Sequence, residues 1–254
     1  MNFPMLADFA LRLAGGMAAL LLMTPRRVVP PTFFRTHCQV ILGLLALAWL
    51  DLAREGPGRG MDTVAAGAVA VAYLATVCWG LGLVRFALPL TAVVVATAGA
   101  LLVWAAREAS PGLWALNGAG RLASAFLMGS TLTAMLLGHH YLTAPAMSID
   151  PLRRFVRCMA WGLGARTALA AAGLATWSAG GVGTGPGGGA STLFLAVRWG
   201  MGLAGPALAT YLAWETVRIR STQSATGILY IAMTLVLFGE LSALVLSRGV
   251  GVIF

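Results

Sequence analysis

Lysine is absent from this 254-residue chain, and charged residues of every kind are scarce. They make up 10% of the sequence, against about a quarter in soluble domains, whereas 59% of the residues are hydrophobic. A water-soluble core of this length could not bury so much apolar surface, but a lipid bilayer solvates it, provided that backbone groups are bonded internally. The composition therefore excludes an ordinary soluble domain and indicates an integral membrane protein.

The sequence also lacks the motifs of the common catalytic and metal sites. It contains no nucleophile elbow, no Walker loop, no HExxH zinc helix and no paired intramembrane carboxylates. Its three cysteines, Cys38, Cys78 and Cys158, have no CxxC spacing, so we expect neither a disulfide framework nor a metal site. Autonomous hydrolytic or ATP-driven activity is therefore not expected, and no catalytic residue is assigned.

The apolar residues form long stretches, which predict an all-α, polytopic transmembrane helix bundle of about eight spans. A helix needs about 20 apolar residues to cross the bilayer, whereas a β-barrel would require alternating polar and apolar residues. The first span lacks a basic start and a cleavage pattern, so we expect it to be retained rather than removed as a signal peptide. The predicted spans are Met5–Met23, Thr36–Ala53, Thr63–Val84, Phe86–Ala106, Arg121–Tyr141, Phe155–Ala179, Thr192–Thr216 and Gln223–Ser247.

The arginines predict the orientation of these spans. The net charge is +9, but the arginines are scattered between apolar stretches instead of forming one basic face, so no nucleic-acid partner is expected. The predicted spans place nine arginines in loops or helix ends on one side of the membrane: Arg26, Arg27, Arg35, Arg85, Arg153, Arg154, Arg157, Arg218 and Arg220. On the other side they place Arg54, Arg59, Arg107, Arg121 and Arg248. The positive-inside rule makes the first side cytoplasmic and places both termini outside, as expected for a bacterial inner-membrane protein.

Two stretches rich in turn-forming residues, Glu55–Gly60 and Gly180–Gly189, are predicted to connect spans on the outer side. The longer stretch has high backbone entropy and almost no side chains to pack. It does not resemble a phosphate-binding loop, because no strand precedes it and no Lys-Ser/Thr follows it. Both stretches are interpreted as flexible connections.

A 120-residue offset relates Trp79–Leu83 to Trp199–Leu203, and Cys38 to Cys158. Such self-similarity is typical of membrane proteins built from two halves. The chain is therefore interpreted as a single integral membrane domain, 1–254, with 1–120 and 121–254 as candidate repeat halves. The predicted spans place the two Trp-Gly pentads at different depths, which counts against the duplication.

Ionisable side chains inside a membrane are costly, so each one requires a partner or a purpose. The intramembrane candidates are Arg12, Arg166, Arg198 and Glu240. Glu240 and Arg198 fall at comparable depth in the last and seventh spans, which predicts an ion pair between them. Such a pair could join helices or belong to a proton or substrate pathway. The fifth span is rich in small and hydroxyl residues, which predicts a central position in the bundle.

The three histidines are predicted to lie at the cytoplasmic edge of the membrane. His37 begins the second span, and His139 and His140 end the fifth. Two imidazoles at one depth could ligate a haem b iron, or one could bond a quinone carbonyl. Adjacent helical residues point about 100° apart, so only one of His139 and His140 is expected to face inwards. The alternative is that all three are interfacial histidines bonded to water or lipid phosphate.

The last cytoplasmic loop combines Arg218 and Arg220 with the hydroxyl-rich start of a helix. Unpaired backbone N–H groups at a helix start, together with two guanidinium groups, attract an anion. Lipid phosphate is the expected ligand, and the alternative is that the arginines only anchor the topology.

Three functions remain open on the sequence alone. The first is an integral membrane subunit of an electron-transfer, respiratory-type complex, with haem b or quinone near the cytoplasmic face and other protein subunits as partners. The second is a small-molecule or ion transporter that uses the intramembrane Arg and Glu residues. The third is a scaffold subunit in membrane lipid, with no chemistry of its own. The first is ranked slightly ahead, because the histidines converge at one depth.

Overall fold

The computed structural model describes residues 3–54, 60–143, 147–180 and 192–250. These ranges are helical and contain no β-strand, which confirms the all-α prediction. The two predicted outer loops lie largely outside the described residues, which include only their end residues Gly60 and Gly180.

The described ranges form nine α-helices. They are α1 (Met5–Met23), α2 (Pro31–Arg54), α3 (Met61–Gly80), α4 (Val84–Ala109), α5 (Trp114–Thr143), α6 (Asp150–Gly180), α7 (Thr192–Trp199), α8 (Gly205–Arg218) and α9 (Thr222–Val250). A π-helical turn, Gly200–Ala204, joins α7 and α8 into one continuous segment. Eight helical segments therefore correspond to the eight predicted spans.

Seven of these segments are long and apolar enough to cross a membrane. The exception is α6, which has 31 residues but carries Arg166 among its apolar residues and three more arginines near its start. The boundaries of α1 coincide with the predicted span, whereas α5 begins at Trp114 and not at Arg121, because a short 3-10 turn leads directly into it. Hydropathy thus predicts the part of a helix that would lie in the hydrocarbon core, but it does not predict the helical turns that extend beyond that core.

The long apolar stretch Thr63–Ala106 is divided into two helices, as predicted. The division falls at Leu81–Leu83, ahead of Pro89, which lies inside α4. Gly82 has a φ of +73°, a left-handed conformation that glycine adopts at no steric cost. The reversal of chain direction between α3 and α4 therefore depends on Gly82 and not on Pro89.

Helices α1 and α5 occupy the centre of the bundle and are the two most buried segments. Helix α5 packs against α1, α4, α6 and α9, which confirms its predicted central position. The backbones of α1 and α5 touch where Gly16 meets Gly129: a Cβ atom on Gly16 would lie 1.8 Å from the carbonyl oxygen of Ala125. Only glycine permits this approach.

A second glycine crossing joins the seventh and last segments. A Cβ atom on Gly239 would lie 2.1 Å from the Cα of Gly202, so α9 and the π-helical turn are also in backbone contact. This turn contains most of Trp199–Leu203, whereas the related pentad Trp79–Leu83 ends α3 and forms the loop to α4. The two pentads thus differ in conformation, and the duplication stays a prediction.

The helices run alternately between two ends of the bundle. We call the end where α1 begins and α9 ends the terminal face, and the end that holds the α8–α9 turn the opposite face. At the terminal face, the backbone N–H of Ala7 donates to Asp51 Oδ2 at 2.8 Å. Arg248 donates to the carbonyl oxygen of Phe3 at the same face. These contacts fix the start of α1 against the ends of α2 and α9.

Candidate functional site

The side chain of Glu240 on α9 is the centre of a buried polar cluster. Arg166 Nε on α6 donates to both of its carboxylate oxygens, at 3.0 and 3.2 Å. Arg198 Nη1 on α7 donates to Oε1 at 3.0 Å, and the hydroxyl of Ser124 on α5 donates to Oε2 at 2.6 Å. The predicted ion pair between Glu240 and Arg198 is therefore present, and Arg166 and Ser124 complete the coordination of the carboxylate.

The cluster continues from Ser124 towards the terminal face. Arg12 Nη1 donates to Ser124 Oγ at 3.2 Å and lies 3.9 Å from Glu240 Oε2. The other side of the Arg12 guanidinium donates to Asp8, at 2.7 Å from Nε and 3.1 Å from Nη2. Arg121 then pairs with the second oxygen of Asp8, at 2.7 Å. Asp8, Arg12, Arg121, Ser124, Arg166, Arg198 and Glu240 together form what we call the Glu240 cluster.

Positive charge exceeds negative charge in this cluster. Four guanidinium groups face two carboxylates, which gives a formal charge of +2. The arginine side chains are 0 to 13% exposed, and arginine does not deprotonate in proteins. Within the described residues, Nε and Nη2 of Arg198 are buried and have no hydrogen-bond partner. The arrangement therefore contains buried donors and uncompensated positive charge.

The glycine crossings explain why these side chains meet. Gly202 lies one helical turn from Arg198, and its contact partner Gly239 precedes Glu240. Gly16 likewise lies one turn from Arg12, where α1 touches α5. Close backbone contact shortens the distance between helix axes, so that side chains on facing helices can bond directly.

Three members of the cluster were missed by sequence reasoning. Arg121 was assigned to the outer membrane edge, but it lies inside α5 and is buried against Asp8. Sequence reasoning assigns no role to Asp8, and Ser124 is one of the small and hydroxyl residues of the fifth span. A usable signal was the four-residue spacing of Asp8 and Arg12, which places opposite charges on one face of a helix.

The three histidines differ in burial: one is buried, His140 is half-buried and the third is exposed. His37 is buried, and its ring packs against that of Phe33 with a centroid distance of 3.8 Å and an angle of 36° between the ring planes. The ring of His140 lies 6.3 Å from the same Phe33. His139 is exposed and lies 3.5 Å from the hydroxyl of Tyr230. As expected from the helical geometry, His139 and His140 point in different directions, and only His140 approaches His37.

The environment of His37 fixes the role of its two nitrogens. Nδ1 lies 2.7 Å from the carbonyl oxygen of Phe33, which can only accept, so Nδ1 carries the proton. Nε2 then has a lone pair, and it is buried with no hydrogen-bond partner in the described part of the chain. The described residues contain no group of three or more His, Cys, Asp or Glu side chains that could hold a metal ion.

The two loop arginines differ in their surroundings. Arg218 donates to both carboxylate oxygens of Glu215, at 3.0 and 3.2 Å, and is therefore partly neutralised. Arg220 has a φ of +58° in the turn between α8 and α9 and is exposed. Of the two, only Arg220 presents its whole charge at the opposite face.

Comparison with protein-family models, curated proteins and solved structures finds no match.

We predict that the charge of Glu240 is required for stability. The substitution Glu240→Gln leaves Arg166 and Arg198 buried without a carboxylate, and breaking a buried ion pair in this way costs about 3–5 kcal/mol. Unfolding in mild detergent, followed by circular dichroism, measures the loss. The double substitution Glu240→Gln/Arg198→Gln, which also removes one cation, should recover part of the lost stability.

The exposed pair of Glu215 and Arg218 supplies the matched control for this measurement. The substitution Glu215→Gln breaks a carboxylate–arginine pair of similar length on the surface, which is worth less than about 1 kcal/mol. If Glu240→Gln is no more destabilising than Glu215→Gln, the cluster is not the stabilising element described here.

Proposed function

We propose that this chain is a membrane transporter in which the Glu240 cluster binds a small anion. The observation that carries the proposal is the excess of buried guanidinium groups over carboxylates. Uncompensated charge inside a membrane protein is expensive and typically marks an ion or substrate pathway. A bound anion would supply the missing negative charge and accept hydrogen bonds from Arg198.

The donors of Arg198 support this assignment. Its Nη1 is held by Glu240, which orients the planar guanidinium, while Nε and Nη2 have no partner among the described residues. Adjacent N–H groups in this fork geometry match the oxygens of a carboxylate, sulfate or phosphate. Unsatisfied buried donors carry a desolvation cost, which an anion would remove.

The cluster also has the extent expected of a pathway. It begins at Asp8 in the first turn of α1, at the terminal face, and reaches Arg166 near the middle of α6. Phe3 covers its outer end, since the guanidinium of Arg121 lies 5.8 Å from the Phe3 ring. In this proposal Phe3 and the start of α1 move when an anion enters from the terminal face.

We retain the orientation proposed from the arginine distribution. The opposite face, which carries most of the exposed arginines, is cytoplasmic, and the terminal face is outside. The membrane is the bacterial inner membrane. Anions would then reach the Glu240 cluster from the outer side.

Anion transport is tested with purified protein in proteoliposomes. We expect saturable uptake of at least one of phosphate, sulfate and chloride by the native chain, and loss of that uptake in Arg198→Gln. The same anion should stabilise the native protein by about 2.7 kcal/mol at a hundred times its Kd, and this gain should be absent in the variant. Glu215→Gln is the control for surface charge.

If none of the three anions is taken up and none raises the Tm, the transport proposal is wrong. The Glu240 cluster would then be a structural element, as expected for a scaffold subunit.

A second candidate is a subunit of an electron-transfer complex with a quinone or haem b near the opposite face. One observation favours it: the buried Nε2 of His37, which has a lone pair and no partner among the described residues. Such a nitrogen can accept a hydrogen bond from a quinol hydroxyl or ligate a haem iron. His140, whose ring lies 6.3 Å from that of Phe33, is the second imidazole near His37.

For this candidate we expect the purified protein to contain haem b or to bind a quinone. A Soret band, or binding of a ubiquinone analogue measured by fluorescence quenching, should be lost in His37→Gln and kept in His139→Gln, because His139 is exposed. Absence of both signals from the native protein, or their retention in His37→Gln, would rule the candidate out.

A further inference from the structure

A groove between α6 and α8 is a cavity that the transport proposal does not use. Its volume is about 850 Å³, which lies within the range of small-molecule sites, and most of its lining is apolar. Leu163 and Gly164 on α6 and Ala207 on α8 line it. The groove opens towards the membrane, since Tyr211 at its edge is 61% exposed.

Two polar side chains line this groove at similar depth. Arg157 lines it from α6 and has no ion-pair partner among the described residues, and Thr210 lines it from α8. Arg157 is seven residues from the start of α6 and Thr210 eight residues from the end of α8, so both lie about 10–12 Å from the ends at the opposite face. Trp214 lines the groove one turn closer to that face.

The hydroxyl of Thr210 distinguishes the groove from an ordinary lipid-facing surface. Threonines within these helices typically donate to a carbonyl oxygen of the preceding turn, as Thr76, Thr91 and Thr216 do. Thr210 Oγ1 makes no hydrogen bond in the described part of the chain, although the residue is only 6% exposed. The groove therefore contains a buried donor that requires an acceptor.

We propose that this groove binds one anionic phospholipid. Arg157 pairs with the phosphate, the Thr210 hydroxyl donates to an ester carbonyl oxygen, and an acyl chain runs along Leu163 and Gly164 towards Ala168. Basic pockets between transmembrane helices are typical sites for anionic headgroups. Trp214 lies near the headgroup level, where tryptophan is favoured.

The depth of the two polar groups fits a phospholipid. Helix α6 has 31 residues and is about 46 Å long, so its first turns extend beyond a hydrocarbon core of about 30 Å. Arg157 then lies near the edge of that core, where phosphate and ester groups are found. The apolar lining continues from there for about 16 Å, up to Ala168.

A helix of a partner protein is the main competing occupant. Ala160, Gly164 and Ala168 are four residues apart on α6, a spacing that favours close helix packing. A helix, however, bonds its own carbonyl groups internally. It would offer an acceptor to Thr210 or an anion to Arg157 only through particular side chains, whereas a phospholipid supplies both at this depth.

Native mass spectrometry of the purified protein with added phosphatidylglycerol or phosphatidylcholine tests the proposal. We expect the native chain to bind phosphatidylglycerol about fivefold more tightly, the effect of one arginine at an anionic headgroup. Arg157→Gln should remove this preference. Arg154→Gln, one turn away and outside the groove, should keep it.

Gly164→Leu tests the acyl-chain position. A Cβ atom on Gly164 meets nothing within 4 Å, so the leucine fills the groove without disturbing the fold. Binding of both lipids should fall, whereas Gly67→Leu, at an equally open position on α3, should not change it.

Three results would overturn the proposal. The first is equal binding of the two lipids by the native chain, and the second is unchanged lipid binding in Gly164→Leu. The third is loss of a co-purifying protein chain in Gly164→Leu without loss of lipid, which would assign the groove to a partner helix. None of these results depends on the Glu240 cluster, so the lipid and transport proposals can fail separately.

Discussion

The carboxylate of Glu240 is the interaction on which this helix bundle depends. Arg166 and Arg198 are both fully buried, and their positions in a membrane are tolerable only because the same carboxylate bonds each of them. Ser124 links that carboxylate to Arg12, so helices α1, α5, α6, α7 and α9 meet around one negative charge. No apolar packing among these helices would specify their positions so narrowly, since lipid tails are as apolar as the helices themselves.

The glycine crossings make this convergence sterically possible. Where Gly16 meets Gly129 and Gly202 meets Gly239, the backbones are too close for any Cβ atom, and each crossing lies within about one turn of a charged member of the cluster. Charge and close packing therefore support one another. The charges in the cluster are also unequal, because four arginines face two carboxylates, and this imbalance is the basis of the proposal that the cluster binds an anion.

The sequence predicts the helices better than it predicts the site. The long apolar stretches predict all eight helical segments, and seven of these segments are apolar enough to cross a membrane, because burial in lipid selects apolar residues along a span. Depth along each helix was enough to pair Glu240 with Arg198. Depth alone does not predict that Arg166 and Ser124 bond the same carboxylate, or that Arg121 points inwards to Asp8. These contacts depend on the rotation of each helix about its axis and on which helices are neighbours.

A cryo-electron microscopy structure of the native protein in lipid nanodiscs, at high phosphate or chloride concentration, tests most directly whether the Glu240 cluster binds an anion. We predict non-protein density within hydrogen-bond distance of Arg198 Nε and Nη2, beside an intact contact between Arg198 and Glu240. A map in which these two nitrogens are bonded only to protein groups, with no density beside them, would contradict the claim that the Glu240 cluster is an anion site.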